Sequence, residues 1–164
     1  MDQELTRLSD LVGTACRQHQ LMVATAESCT GGWTAQVITH TAGSSEWFER
    51  GFVTYSNAAK IDMLDVNPAT LDSYGAVSVE TALEMANGAL AHSPAQISLA
   101  ITGIAGPGGG SPGKPVGTVC FAWRIKNQAA QSELQVFAGD RESVRRQAVI
   151  HALQGLLSRI KDMN

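Results

Sequence analysis

Residues 26–32, with the sequence AESCTGG, contain the first candidate for covalent chemistry in this 164-residue chain. A serine at the end of a strand, followed by glycines that open a helix, presents its hydroxyl beside unpaired backbone N–H groups. Such groups can stabilise the negative oxygen of a tetrahedral intermediate. Ser28 is therefore a candidate nucleophile, with Thr30, Gly31 and Gly32 beside the substrate. A helix cap made by Ser28 or Thr30 explains the same residues without catalysis. Cys29 is a rival nucleophile, although free cysteines are more often buried apolar side chains.

The second segment, residues 55–60 with the sequence YSNAAK, could supply a base. If Ser56 caps a helix, Lys60 falls near the first turn, where the positive end of the helix dipole disfavours its charged form. Partial burial would lower the pKa of Lys60 further and give a neutral amine that accepts a proton. Tyr55 lies where its hydroxyl could meet this amine. The alternatives are a solvated surface lysine and a tyrosine at the edge of the core.

The third segment, residues 139–146 with the sequence GDRESVRR, could bind an anion. Asp140 is a suitable N-cap, but arginines at the start of a helix oppose its dipole. The arrangement is explained if the helix terminus and either Arg141 or Arg145 hold a phosphate. Surface ion pairs, such as Arg146 with Glu142, are the alternative.

A glycine-rich stretch, residues 103–117, contains a near match to a phosphate loop at residues 108–115. The Walker pattern needs Ser or Thr after its lysine, but Pro115 follows Lys114, and the stretch runs into a strand. We therefore reject a nucleoside-triphosphatase. The start of the stretch is more consistent with a pocket wall whose backbone contacts a ligand, formed by Thr102, Gly103, Ile104, Ala105 and Gly106.

These segments require elements that bring them to one place, and the hydrophobic pattern predicts such elements. Apolar residues recur at helical spacing in some segments, and short, continuously apolar runs in others are typical of buried strands. We predict helices at 3–19, 33–40, 56–64, 78–91 and 140–161, and strands at 21–28, 47–56, 96–103, 116–125 and 132–139. The order predicts one α/β domain, residues 1–164, as a three-layer α/β/α sandwich. Its sheet should be mostly parallel with one antiparallel strand, and ligands should bind at the carboxyl ends of the strands.

The composition excludes several classes of protein. The net charge is −3, and no basic stripe is present, which argues against a nucleic-acid partner. The amino terminus does not resemble a signal peptide, and no stretch approaches the roughly 18 apolar residues of a membrane span. Three scattered cysteines suit reduced thiols in the cytoplasm. The histidines and cysteines lack the spacing of a metal site, so we expect neither metal nor cofactor.

Six segments together resemble one family far more specifically than any one of them alone. In order, they are ATAESCTGG, GSSEWFERGFVTYSNAAK, GAVS, TGIAGPGGG, KPVGTV and GDRESVRRQA. The chain resembles the CinA C-terminal domain family over nearly its whole length, and in particular the stand-alone members that deamidate nicotinamide mononucleotide.

This resemblance implies an α/β/α homodimer that hydrolyses a carboxamide to a carboxylate. It implies catalysis by a serine–lysine pair assisted by tyrosine, which corresponds to Ser28, Lys60 and Tyr55. The remaining substrate contacts are expected among the residues of the quoted segments: Thr30, Gly31, Gly32, Ser44, Ser45, Asn57, Thr102, Gly103, Ile104, Ala105, Gly106, Arg141 and Arg145. Two other functions stay open, a non-catalytic nucleotide-binding module and an amidase for another small amide.

Overall fold

A five-stranded sheet between two layers of helices forms the computed structural model, which describes residues 1–163. The strands are β1 (Val23–Glu27), β2 (Phe48–Val53), β3 (Ile97–Gly103), β4 (Thr118–Ile125) and β5 (Gln131–Val136). The α-helices are α1 (Gln3–His19), α2 (Trp33–His40), α3 (Asn57–Leu64), α4 (Pro68–Tyr74), α5 (Val79–Ala91) and α6 (Arg141–Lys161). A short 3₁₀ helix, Ser44–Glu46, precedes β2.

The sheet has the order β2-β1-β3-β4-β5. Strands β2, β1 and β3 pair in parallel, and β4 pairs antiparallel with both β3 and β5. Four strands therefore point one way and β4 alone points the other way. This confirms the predicted α/β class, the mostly parallel sheet and its one antiparallel strand. The carboxyl ends of β1, β2 and β3 consequently meet at one edge.

Side-chain caps fix where three of the helices begin. The Ser56 hydroxyl accepts a hydrogen bond from Ala59 N at 3.0 Å at the start of α3. Ser78 caps α5, and the Asp140 carboxylate accepts from Ser143 N at 2.9 Å at the start of α6. Each cap satisfies a backbone N–H that has no partner within its helix. The sequence predicted that these three helices begin at residues 56, 78 and 140, each one residue before the observed start.

The two faces of the sheet differ in the size of their side chains. One face buries large residues against α1, α2 and α6, including Val23, Leu99 and Phe121. The other face carries small residues, including Ala24 and Ala100, which pack near α5. Since successive residues of a strand point to opposite faces, small and large side chains alternate along these strands. Because the side chains of this face are small, α5 can pack close to the sheet. The helix lies near the edge at which β1 and β3 end.

Two elements were not predicted. Helix α4 has only seven residues, too few to show a helical period, although Asn67 caps it and Pro68 occupies its first turn. The 3₁₀ helix is shorter still. Within residues 1–163, no helix combines the length and apolar character needed to cross a membrane.

Candidate active site

A cleft opens where β1, β2 and β3 end, as expected for a largely parallel sheet. It is lined by residues from five parts of the chain: Ser28, Cys29, Tyr55, Asn57, Lys60, Ala76, Val77, Thr102, Gly103, Ala105 and Arg141. The three predicted chemical segments thus contribute to one cavity, and none of these lining residues is an aspartate or a glutamate.

Ser28 and Lys60 are in direct contact at the base of this cleft. The distance from Lys60 Nζ to Ser28 Oγ is 3.0 Å. The same Nζ donates a hydrogen bond to the carbonyl oxygen of Thr54 at 2.8 Å. Ser28 lies directly after β1, and Lys60 reaches it from the first turn of α3. A neutral amine in this position can donate to Thr54 and use its lone pair to accept the Ser28 hydroxyl proton.

The environment of Lys60 favours that neutral form. The residue is 1% exposed, and desolvation by burial lowers the pKa of Lys60, with Cys29 acting in the opposite direction. Within residues 1–163, Lys60 has no ion-pair partner. Burial of a charge without a counter-ion disfavours the charged form strongly. The expectation of a depressed lysine pKa therefore agrees with the structure.

The turn after Ser28 is held by Glu27, a residue that the sequence analysis did not single out. One carboxylate oxygen of Glu27 accepts from the Thr30 hydroxyl at 2.6 Å and from Thr34 N at 2.8 Å. The other oxygen accepts from Ala35 N at 3.1 Å. Glu27 is 1% exposed and occupies backbone donors at the start of α2. A carboxylate at the end of an otherwise uncharged buried strand was the signal that could have identified it.

Backbone N–H groups of the same turn remain free. Within residues 1–163, the N–H groups of Thr30 and Gly32 have no hydrogen-bond acceptor. The Gly31 N–H instead donates to the Ser28 carbonyl at 3.0 Å and closes the turn. Gly31 and Gly32 both have positive φ values, +60° and +100°, which residues with a side chain rarely adopt. The glycines therefore serve the sharp turn that leaves these donors free.

Tyr55 and Arg141 form a pair at the mouth of the cleft. The Tyr55 hydroxyl accepts from Arg141 Nη2 at 3.2 Å, and Arg141 Nη1 donates to the Gly106 carbonyl at 2.8 Å. Tyr55 is 63% exposed. Its hydroxyl thus contacts Arg141, whereas the sequence analysis expected it to meet Lys60. Within residues 1–163, Arg141 forms no ion pair, so its charge is free for an anion.

The other predicted substrate contacts are divided between the cleft and its surroundings. Asn57, Thr102, Gly103 and Ala105 line the cleft. Residues just outside it include Thr30, Gly31, Gly32, Ile104, Gly106 and Arg145. Ser44 and Ser45 lie in the 3₁₀ helix before β2, at the amino edge of the sheet. Because strand residues rise about 3.3 Å each, this edge lies some 15 Å from Ser28, and the fold does not bring these two serines to the cleft.

Cys29 lines the cleft beside Ser28, but its environment opposes a nucleophilic role. Burial raises the pKa of the Cys29 thiol to about 11, although the Arg145 guanidinium acts in the opposite direction. The thiolate is the nucleophilic form, so at neutral pH Cys29 is almost wholly in the unreactive form. The part of the chain described by the structure contains no cluster of three His, Cys, Asp or Glu side chains that could hold a metal ion.

Comparisons with known proteins agree with this architecture. The model of the CinA C-terminal domain matches residues 5–160. A relative from Escherichia coli (strain K12), named nicotinamide-nucleotide amidohydrolase PncC, is 54% identical over 155 residues, which cover 94% of each chain. A protein of the same name from Pseudomonas putida is 51% identical over 153 residues, covering 93% of this chain and 95% of the relative.

Solved structures give the same result. The crystal structure of the competence/damage inducible protein CihA from Agrobacterium tumefaciens matches with a TM-score of 0.93 at 45% sequence identity. The match covers 97% of this chain and 96% of that one. Because the family model spans most of the sequence and these relatives align over nearly all of it, the chain belongs to the CinA C-terminal domain family.

Proposed function

We propose that this protein hydrolyses the carboxamide of nicotinamide mononucleotide to nicotinate mononucleotide and ammonia, with Ser28 as nucleophile and Lys60 as base. The relatives named nicotinamide-nucleotide amidohydrolase support the reaction. The observation that carries the mechanism is the 3.0 Å contact between Ser28 Oγ and a buried Lys60 without a counter-ion. A serine–lysine pair is a known variant of the serine triad.

The first half of the reaction forms an acyl-enzyme. Ser28 Oγ attacks the carboxamide carbon while its proton passes to Lys60 Nζ. The carbonyl oxygen becomes an oxyanion, for which the free N–H groups of Thr30 and Gly32 are donors. The carbon–nitrogen bond then breaks, and the leaving nitrogen takes the proton from Lys60 and departs as ammonia. Nicotinate mononucleotide remains joined to Ser28 as an ester.

In the second half, water replaces ammonia. Lys60, again neutral, accepts a proton from water as the water oxygen attacks the ester carbon. The carbon–oxygen bond to Ser28 breaks, and Ser28 takes the proton back from Lys60. Nicotinate mononucleotide leaves as a carboxylic acid, which loses its proton to solvent and becomes the carboxylate. Arg141 is the cation at the cleft mouth for the substrate phosphate, and Tyr55 assists through its hydrogen bond to that guanidinium.

An ammonia-release assay with three substrates tests this proposal. We expect release from nicotinamide mononucleotide and far less from nicotinamide riboside or nicotinamide, since neither carries the phosphate. Ser28→Ala should remove the activity, and treatment with chelators should leave it intact. Equal rates with the riboside would indicate an amidase for another small amide. Binding of the nucleotide without any ammonia release would indicate a non-catalytic module.

A further inference from the structure

The neighbouring arginines Arg145 and Arg146 on α6 have very different partners. Arg145 Nε donates to the Cys29 carbonyl at 3.0 Å, and its Nη2 donates to the Thr30 carbonyl at 3.2 Å. Arg146 instead pairs with the carboxylates of Asp2 and Glu4. Within residues 1–163, Arg145 forms no ion pair. It thus directs an uncompensated positive charge at two carbonyls of the nucleophile turn.

The connectivity of the backbone shows what these two contacts control. The Cys29 carbonyl belongs to the same peptide unit as the Thr30 N–H, which is free of any acceptor within residues 1–163. The Thr30 carbonyl belongs to the same unit as the Gly31 N–H, which donates to the Ser28 carbonyl. Because a peptide unit is planar, holding its oxygen also fixes the direction of its N–H. Arg145 therefore sets both the closure of the turn and the aim of a free donor.

The positive charge also strengthens that donor. A guanidinium on a carbonyl oxygen polarises the peptide unit, and hydrogen bonds in such chains strengthen one another, by about 10–30% per bond. The Thr30 N–H thus becomes a better donor for a developing negative oxygen. Glu27 holds the Thr30 hydroxyl from the opposite side, so the turn is fixed between a carboxylate and a guanidinium.

Arg145 is poorly placed to bind the substrate itself. Two of its nitrogens are used by backbone carbonyls, and its guanidinium carbon lies 5.4 Å from the centre of the Trp33 ring. Arg141, one turn earlier in α6, lines the cleft, and among residues 1–163 it has no carboxylate partner. The two arginines at the start of α6 therefore differ in function.

We propose that Arg145 is a positioning residue for the oxyanion donor: it orients and polarises the Cys29–Thr30 peptide unit so that the Thr30 N–H stabilises the tetrahedral intermediate. This role rests on the proposed amide hydrolysis. It differs from the substrate contact that the sequence analysis expected of Arg145. The effect on the rate should be confined to the chemical step, because the Thr30 N–H that Arg145 orients is used only when negative charge develops on the substrate.

The test compares Arg145→Gln and Arg145→Lys with Arg146→Gln, a matched control one residue along the same helix. Removal of one oxyanion donor typically lowers kcat by about 10²–10³-fold. We expect Arg145→Gln to lower kcat about 100-fold and to leave KM for nicotinamide mononucleotide within about threefold. Arg145→Lys should recover only part of this loss, since an ammonium cannot hold two carbonyls in a planar fork. Arg146→Gln should retain wild-type kcat and KM.

A second measurement separates this role from a general loss of structure. An analogue of the substrate with an aldehyde in place of the carboxamide should add to Ser28 as a hemiacetal and present a tetrahedral oxygen. Arg145→Gln should bind this analogue about 100-fold more weakly and bind the product nicotinate mononucleotide as the wild type does. If Arg145→Gln does not fold, as shown by its thermal unfolding, Arg145→Lys supports the same two measurements.

Three outcomes would overturn the assignment of Arg145. They are a raised KM with unchanged kcat, an equal loss in Arg146→Gln, or full activity of both Arg145 variants. Each of these three outcomes can be observed only if the wild-type protein is active. A wild type that releases no ammonia from nicotinamide mononucleotide would instead remove the proposed function, so the two failures are distinguishable.

Discussion

The chain has two glycine-rich turns at the carboxyl edge of its sheet, and they differ in almost every physical respect. The nucleophile turn, residues 28–32, is short, contains the buried residues Ser28 and Thr30, and is held by Glu27 and Arg145. The glycine-rich loop, residues 106–117, is longer and largely exposed, and joins β3 to β4. Its contacts include a small bridge between Ser111 and Lys114 and hydrogen bonds from Lys114 to the Tyr74 carbonyl and from Arg141 to the Gly106 carbonyl.

The difference between the two turns shows that a high glycine content does not by itself identify a catalytic turn. The longer loop has more glycines and nearly matches a phosphate-binding motif, yet it leads into a strand and offers no helix start to a phosphate. The nucleophile turn has only two glycines, each with a positive φ, and Glu27 and Arg145 hold the turn through Cys29 and Thr30. Immobilisation by the charged side chains of Glu27 and Arg145, not glycine content, distinguishes the candidate catalytic turn.

Replacing Lys60 should produce a very large effect, because within residues 1–163 its Nζ is the only side-chain hydrogen-bond partner of Ser28 Oγ. Arginine cannot lose its proton at any useful pH, so Lys60→Arg should be nearly as inactive as Lys60→Ala. General base catalysis contributes about 10²–10⁴-fold, and we expect losses of at least that size in kcat/KM. Steady-state ammonia release from pH 6 to 9 measures this. In the wild type, activity should rise with pH as Lys60 loses its proton.

Retained activity in Lys60→Arg would show that Lys60 does not act as the base. If the charge of Lys60 merely held the substrate, Lys60→Arg would retain activity. An arginine variant within about tenfold of the wild type, a barrier change near 1.4 kcal/mol, would remove Lys60 as the base.

Replacing one glycine in each turn with alanine should give effects of opposite sign. Gly32 has φ +100°, so Gly32→Ala forces a side chain into strained backbone, at about 1–2 kcal/mol. We expect a lower free energy of unfolding and a kcat reduced at least tenfold. A Cβ at Gly108 meets no atom within 4 Å, and its φ lies outside the strained range. Gly108→Ala should stabilise the protein by about 0.4–1 kcal/mol and leave kcat unchanged.

Denaturant unfolding and steady-state kinetics on both variants decide this comparison. A Gly108→Ala variant with strongly reduced kcat would show that the exposed loop takes part in catalysis. Full activity in Gly32→Ala would show that the backbone of the nucleophile turn tolerates displacement, and the contrast between the turns would then be wrong.

The sequence predicted the parts of this site that depend on local signals. Ser56 capped the predicted helix, which placed Lys60 in its first turn, and the apolar run before Ser28 predicted the buried strand. The contacts of Arg145 with Cys29 and of Arg141 with Tyr55 join residues 116 and 86 positions apart. Such contacts depend on how α6 packs against the sheet, and no local pattern encodes that packing.

The pH dependence of stability should report the burial of Lys60. Its folded-state pKa lies below its unfolded value, about 10.4, so in the interval between them the unfolded chain binds more protons. The free energy of unfolding should therefore rise with pH from the folded pKa upward, by at most about 1.4 kcal/mol per pH unit.

The control for this measurement is Lys60→Met, which keeps the length of the side chain and removes the titration. Buried Cys16 and Cys120, with pKa values raised to about 12 and 11, affect stability in the opposite direction above pH 8.5. They do so equally in both proteins. The third raised thiol, Cys29, is coupled to Lys60, so both proteins carry Cys29→Ala, and the difference between them then isolates Lys60. A difference that stays constant from pH 6 up to the unfolded pKa of about 10.4 would contradict a depressed Lys60 pKa.

The smallest effect is expected at Cys29, the neighbour of the proposed nucleophile. Its thiol is buried and its pKa is raised to about 11, so at pH 7 only about one molecule in 10⁴ carries the reactive thiolate. Cys29→Ala removes the sulfur and keeps the backbone carbonyl that Arg145 holds. The variant should therefore retain kcat within a fewfold, whereas Ser28→Ala, with an equally small change in volume, should be inactive. Burst-phase measurement of ammonia release on both variants makes the comparison direct. An inactive Cys29→Ala beside an active Ser28→Ala would reverse the assignment, because sulfur would then be the attacking atom and its environment would have to lower the thiol pKa.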